Sequence, residues 1–156
     1  MNLFLCTNYA KDHWTQLKMI CDIARLIHCR SELDWKQVIN YANSLRRIRT
    51  LFVGLFLVQN ILGVKLPQEI YEKMQKDEVA KSLSEQVQKR LFQNQGCDPG
   101  ILEKTFFNLK LRETLQDKAR YTRFSSTKVL EQFNNKAHSF ISGLKPITQK
   151  LINYRK

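Results

Sequence analysis

Glycine and proline are scarce, 5 and 3 in a chain of 156 residues. The scarcity argues against a fold of many tight turns, because these two residues set most turn geometries. Long helices with short connections fit better. No segment holds a convincing strand pattern, and there is no internal repeat or low-complexity tract. A membrane span is also missing. The most apolar run, "LFVGLFLVQNILGV" at 51–64, lies between Arg49 and Lys65 and is interrupted by Gln59 and Asn60. It is too short for a bilayer, which takes about 20 residues, and reads as a buried core helix. Met1 and Asn2 lead into a short apolar run with no basic region or small-residue cleavage site. The expectation is a cytoplasmic protein whose cysteines, Cys6, Cys21, Cys29 and Cys97, stay reduced.

Signatures of catalysis are largely missing. There is no P-loop, no G-x-G-x-x-G and no G-x-S-x-G. No D-x-D or D-x-E supplies the paired carboxylates of a two-metal nucleotidyl transfer centre. Glu32 and Asp34 come nearest, but they sit where a helix is expected to be capped. Cys21, His28 and Cys29 share one helix, with about 11 Å of rise between the first and the other two at 1.5 Å per residue. A single ion cannot use all three without distortion, so no metal site is expected.

What the chain has is positive charge, formally +12. Residues 1–100 carry 14 basic and 10 acidic side chains, and residues 101–156 carry 12 and 4. Such an excess favours anionic partners. Apolar spacing predicts helices over 3–11, 15–28, 34–45 and 46–62. Asp34 followed by Gln37 resembles a capping box, and Gly63 should end the fourth helix as its C′ residue. Pro67 opens a fifth, and Asp77 caps a sixth with Val79, Leu83, Val87 and Leu91 inward. The second helix should bury Leu17, Ile20, Cys21, Ala24, Ile27 and His28.

"QNQGCDPG" at 93–100 reads as a linker. The chain then divides into a helical region over 1–95 and a basic helical extension over 96–156. Residues 101–124 read as one long basic helix, "SST" breaks it, and a further helix follows near 128–142 before a tail after Pro146. The fold expected is all-α, a single multi-helix domain. Lys110, Arg112, Lys118, Arg120, Tyr121 and Arg123 place cations and an aromatic on the long helix. Such residues can neutralise phosphates without reading sequence. The competing reading is a solvated helix face.

"AKDHWTQLKMICDIARLI…ELDWKQVINYA" resembles the helical region of the uncharacterised bacterial nucleotidyltransferase family, whose pattern is close to A-K-H-x-W-x-x-L-K-W-L-C-D-I-A-x-L-L…L-D-W. "LFVGLFLVQNILGVKLPQEI", "FNLKLRETLQDKARY" and "LKPITQKLINY" resemble later family stretches. The family's histidine after the lysine is Asp12 here, and "RFSSTKVLEQF" departs from the family's pattern.

The resemblance implies the helical, non-catalytic half of such a protein. It would complete or regulate a separately encoded catalytic domain, or be a truncated remnant. Lys11 and Lys18 would meet nucleotide phosphates. Trp14 would meet a base or pack the cleft wall. Asp22 would orient a lysine or stand behind the metal. Mg2+ and a nucleoside triphosphate would come with the catalytic domain, and the chain alone would hold no cofactor. Trp14 as a packing residue, and Asp22 paired with Lys18 or Arg25, are the plainer alternatives. A basic helical nucleic-acid-binding module is the competing function.

Overall fold

The computed structural model describes residues 2–30, 33–93 and 100–123. It shows an all-α protein, with α1 (Asn2–Lys11), α2 (Leu17–Cys29), α3 (Trp35–Ser44), α4 (Ile48–Leu62), α5 (Gln68–Gln75), α6 (Glu78–Gln93) and α7 (Ile101–Leu111). A further helical segment begins at 115. The helix expected near 128–142 and the tail after Pro146 lie outside the described residues.

The chain forms two compact units, Met1–Lys118 and Ala119–Lys156. Within the first unit α7 packs on α6 and gives Phe107 and Leu111 to the core.

α4 is the central element of the first unit. It packs against α1, α2, α3 and α6, and every residue from Thr50 to Val58 is buried. A helix apolar on most sides needs neighbours on most sides. At Gly54 α1 and α2 come close: a Cβ there would lie 2.7 Å from Cys6 Sγ and 3.6 Å from Ile23 Cδ1. Gly54→Ala gains helix propensity worth up to about 1 kcal/mol. Overpacking a rigid core costs roughly 1–3 kcal/mol. We expect a net loss of about 1 kcal/mol in urea unfolding, recovered in part by adding Cys6→Ala, which removes the obstructing sulfur.

The helix ends follow the sequence closely. Asp34 Oδ1 accepts from the Gln37 amide at 3.0 Å, and Asp77 Oδ1 accepts from the Ala80 amide at 3.0 Å. Gly63 ends α4 at φ 66°, its amide donating to Gln59 O. Two other helices end in the left-handed region without glycine. Arg46 (φ 53°) follows α3, and the Arg47 amide donates to Ala42 O at 2.8 Å. His13 (φ 56°) and Trp14 (φ 48°) follow α1, and the Trp14 amide donates to Tyr9 O at 3.0 Å. Both are Schellman-type closures.

Three expectations need correction. α2 buries Ile20 and Ile23, whereas Leu17 is 43% exposed and Cys21 and His28 are also exposed. Ile20, Ala24 and Ile27 belong to either of two overlapping apolar lines, and the approach of Ile23 to α4 selects the second. On α6, Val79 is exposed and Ala80 takes the inward place beside Leu83 and Val87.

The single helix over 101–124 is broken at 112–114. Arg112 is extended (ψ 128°). Thr114 restarts the helix: its Oγ1 accepts from the Asp117 amide at 3.2 Å and donates to Asp117 Oδ2 at 2.7 Å. A threonine offering its own cap competes with helix continuation. Arg49 Nη1 meets the carbonyls freed by the break, Lys110 O at 2.9 Å and Arg112 O at 3.4 Å.

Candidate functional site

The residues singled out near the N-terminus do not form one site. Trp14 is fully buried, so it cannot offer its face to a base and packs instead, against Phe107 with ring centroids 6.3 Å apart. Asp22 is half-buried and accepts from the Tyr9 hydroxyl at 2.7 Å, which pairs it with neither Lys18 nor Arg25. That hydrogen bond, with partial burial and the Asp22 charge, raises the Tyr9 phenol above its ordinary range. Lys18 is exposed on α2. Lys11 lines a cleft. That cleft, of about 360 Å³, gathers Lys11, Asp12, His13, Thr15, Gln16 and Met19 with Lys104 of α7.

His13 has a larger role than its place in the sequence suggests. It is 4% exposed, its ring packs edge-on to Phe107 at 5.3 Å, and its Nε2 lies 3.5 Å from Asn108 Nδ2. No spacing rule marks it. The left-handed backbone at 13 and 14 turns both rings inward, and a sequence pattern does not report a positive φ at histidine or tryptophan.

Phe107 lines a second cleft, of about 390 Å³. Gln86, Lys89 and Arg90 of α6 form one wall, and Glu103, Phe106, Phe107 and Lys110 of α7 the other. Arg90 is 5% exposed, with Nη1 3.8 Å from a Glu103 carboxylate oxygen and its guanidinium carbon 5.7 Å from the Phe107 ring centre. Cation–π contact and a nearby carboxylate hold the guanidinium in a poorly solvated place. The two clefts meet at the His13–Phe107 pair, since His13 lines the first and Phe107 the second. Sequence reading missed Lys89, Arg90 and Lys104, because Lys89 and Arg90 on α6 face Lys110 of α7 across a cleft only once α7 packs on α6, and Lys104 joins Lys11 only in the folded chain.

Of the residues expected on a basic face, Lys110 is exposed in the second cleft. Arg112 lies in the break, while Lys118, Arg120, Tyr121 and Arg123 lie in the helical segment beyond it. The break separates Lys110 and Arg112 from the other four, so they do not share one continuous helix.

Cys6 is fully buried, and burial pushes its thiol pKa up to about 12, which disfavours the thiolate a nucleophile needs. Among the described residues no group of three or more His, Cys, Asp or Glu side chains could hold a metal ion. No helix among them is long and apolar enough to cross a membrane.

These features define an all-α unit with two adjoining cation-lined clefts. Compared with family models, curated proteins and solved structures, the chain gives no match. The nucleotidyltransferase resemblance thus stands on the sequence patterns alone.

Proposed function

We propose that this chain is a helical binding module for phosphate-bearing ligands, the nucleic-acid backbone foremost. One observation carries the reading: Lys11 and Lys104 line one cleft, Lys89, Arg90 and Lys110 line its neighbour, and the two clefts adjoin. These cations come from α1, α6 and α7, so folding concentrates charge that the sequence disperses. Glu103 and Asp12 are the carboxylates sharing these clefts, and the balance stays positive. Basic side chains so placed release counterions when they meet phosphates.

Fluorescence anisotropy with labelled oligonucleotides at several salt concentrations tests the reading. Affinity should fall linearly with salt on logarithmic axes. Each lysine neutralised among Lys11, Lys89, Lys104 and Lys110 should lower that slope by about one. Absence of binding at low salt would remove the proposal. Neutralising Arg112, Lys118, Arg120 and Arg123 together measures the contribution of the basic residues from the break onward.

The resemblance supports a second reading, in which the module completes or regulates a separately encoded nucleotidyltransferase domain that brings its own Mg2+ and nucleoside triphosphate. The observation favouring it is Lys11 beside Lys104 in one cleft, a pair suited to a triphosphate. The purified chain should then transfer no nucleotide by itself, and a catalytic partner supplied in trans should bind it. Robust transfer by the chain alone would sink this reading.

A further inference from the structure

Two phenylalanines stand side by side on α7, and the fold treats them oppositely. Phe107 is 3% exposed and belongs to the core, whereas Phe106 is 63% exposed. Both line the cleft between α6 and α7. Phe106 thus presents an aromatic surface that the core does not use. Lys110, one turn further on, shares its side of the helix. Lys89 stands on the opposite wall and Arg90 beside it. An accessible ring flanked by cations from both walls has the elements of a stacking platform.

We infer that the α6–α7 cleft binds single-stranded nucleic acid, with one base stacked on Phe106 and the adjoining phosphates held by Lys89 and Lys110. This rests on the phosphate-binding function proposed above and narrows it to unpaired strands. A base in a duplex is covered on both faces by its neighbours, so it cannot reach Phe106 without being extruded. An unpaired base can swing onto the ring, and the contact tolerates any base because each has a π face. A cleft of about 390 Å³ suits one inserted base and cannot enclose a duplex. Arg90, fixed against Phe107, adds positive potential at the wall where the backbone would pass.

The test uses the full chain and 12-nucleotide fluorescent probes: oligo(dT), oligo(U), a duplex and an oligo(dT) analogue with abasic sites. Both single strands should bind at least tenfold more tightly than the duplex, and the relative affinity of DNA and RNA identifies the natural source. Phe106→Ala should weaken single-strand binding by about tenfold or more, the range expected for losing one stacked base. It should leave duplex binding and the salt slope unchanged. Lys89→Gln with Lys110→Gln should reduce the slope. The abasic probe should bind the wild type as weakly as oligo(dT) binds the Phe106→Ala variant.

Phe106 is exposed, so its removal should leave the thermal transition in place, and circular dichroism checks this. Equal affinity for single strands and duplex, or indifference to Phe106→Ala, would overturn the stacking site and leave phosphate binding standing. Self-association abolished by Phe106→Ala, without single-strand preference, would overturn it in favour of a protein-docking surface. No binding of any probe at low salt would overturn both proposals.

Discussion

Trp14→Ala should lower the unfolding free energy by about 4 kcal/mol, within the range for deleting a fully buried large aromatic. The indole is completely enclosed and packs on Phe107, which also carries His13 and Arg90 against its ring. Removing it opens a cavity at the point where the two clefts adjoin. A further effect offsets part of the loss. The Trp14 Nε1 hydrogen is buried with no hydrogen-bond partner, and leaving a polar group so placed costs roughly 1–3 kcal/mol. The left-handed backbone at position 14 gives no such relief, because alanine carries a Cβ as tryptophan does. Trp14→Phe keeps much of the ring and removes the N–H, so it should cost only about 1–2 kcal/mol. Urea unfolding followed by circular dichroism measures both variants. A loss below about 1 kcal/mol for Trp14→Ala would show that the site collapses around the deletion.

The second large effect is expected at Arg49. Its amide donates to Glu113 Oε1 at 2.9 Å, and its Nε donates to both Asp77 carboxylate oxygens, at 3.0 and 3.3 Å. Its Nη1 reaches the carbonyls of Lys110 and Arg112. Asp77 in turn caps α6. One side chain thus joins the start of α4, the start of α6 and the end of α7. The Arg49 and Asp77 side chains are 19% and 17% exposed, so solvent screens the pair only in part.

Arg49→Ala leaves Asp77 without its ion-pair partner and the α7 carbonyls without their donor. The expected loss is about 2–3 kcal/mol, below the range for a fully buried pair. A double-mutant cycle with Asp77→Asn should show positive coupling, and strict additivity would show that the pair carries little.

Glu113 adds a pH signature. Partial burial raises its carboxyl pKa, although the Arg49 amide and guanidinium oppose the shift. A carboxyl raised in the folded state contributes stability below its unfolded pKa and loses it as pH rises through the folded value. Glu113→Gln keeps an acceptor for the Arg49 amide without the charge. Relative to wild type it should therefore gain stability as pH rises above about 4.5, where the native carboxylate carries its desolvation cost. The difference between the two unfolding curves across that window measures it; a constant difference would refute the assignment.

Some of this protein was written in its sequence. The scarcity of glycine and proline, the helical spacing of apolar residues and the caps at Asp34, Asp77 and Gly63 specify an all-α chain. These signals are local, set by side chains within a turn or two of one another. The apolar character of 51–58 likewise foretold a central helix, because such a segment can only be satisfied by burial on most sides.

The tertiary structure decided what depends on distant partners. Whether 101–124 is one helix or two turned on Thr114 offering a cap and Arg49 receiving the freed carbonyls. Which face α2 buries turned on α4. Trp14 and Asp22, which look available in the sequence, are taken up by Phe107 and Tyr9. The cations of the two clefts were not readable as groups, because Lys110 faces Lys89 and Arg90 only after α7 has packed on α6, and Lys104 joins Lys11 only in the folded chain. Charge adds up through space, and a spacing pattern records only separation along the chain.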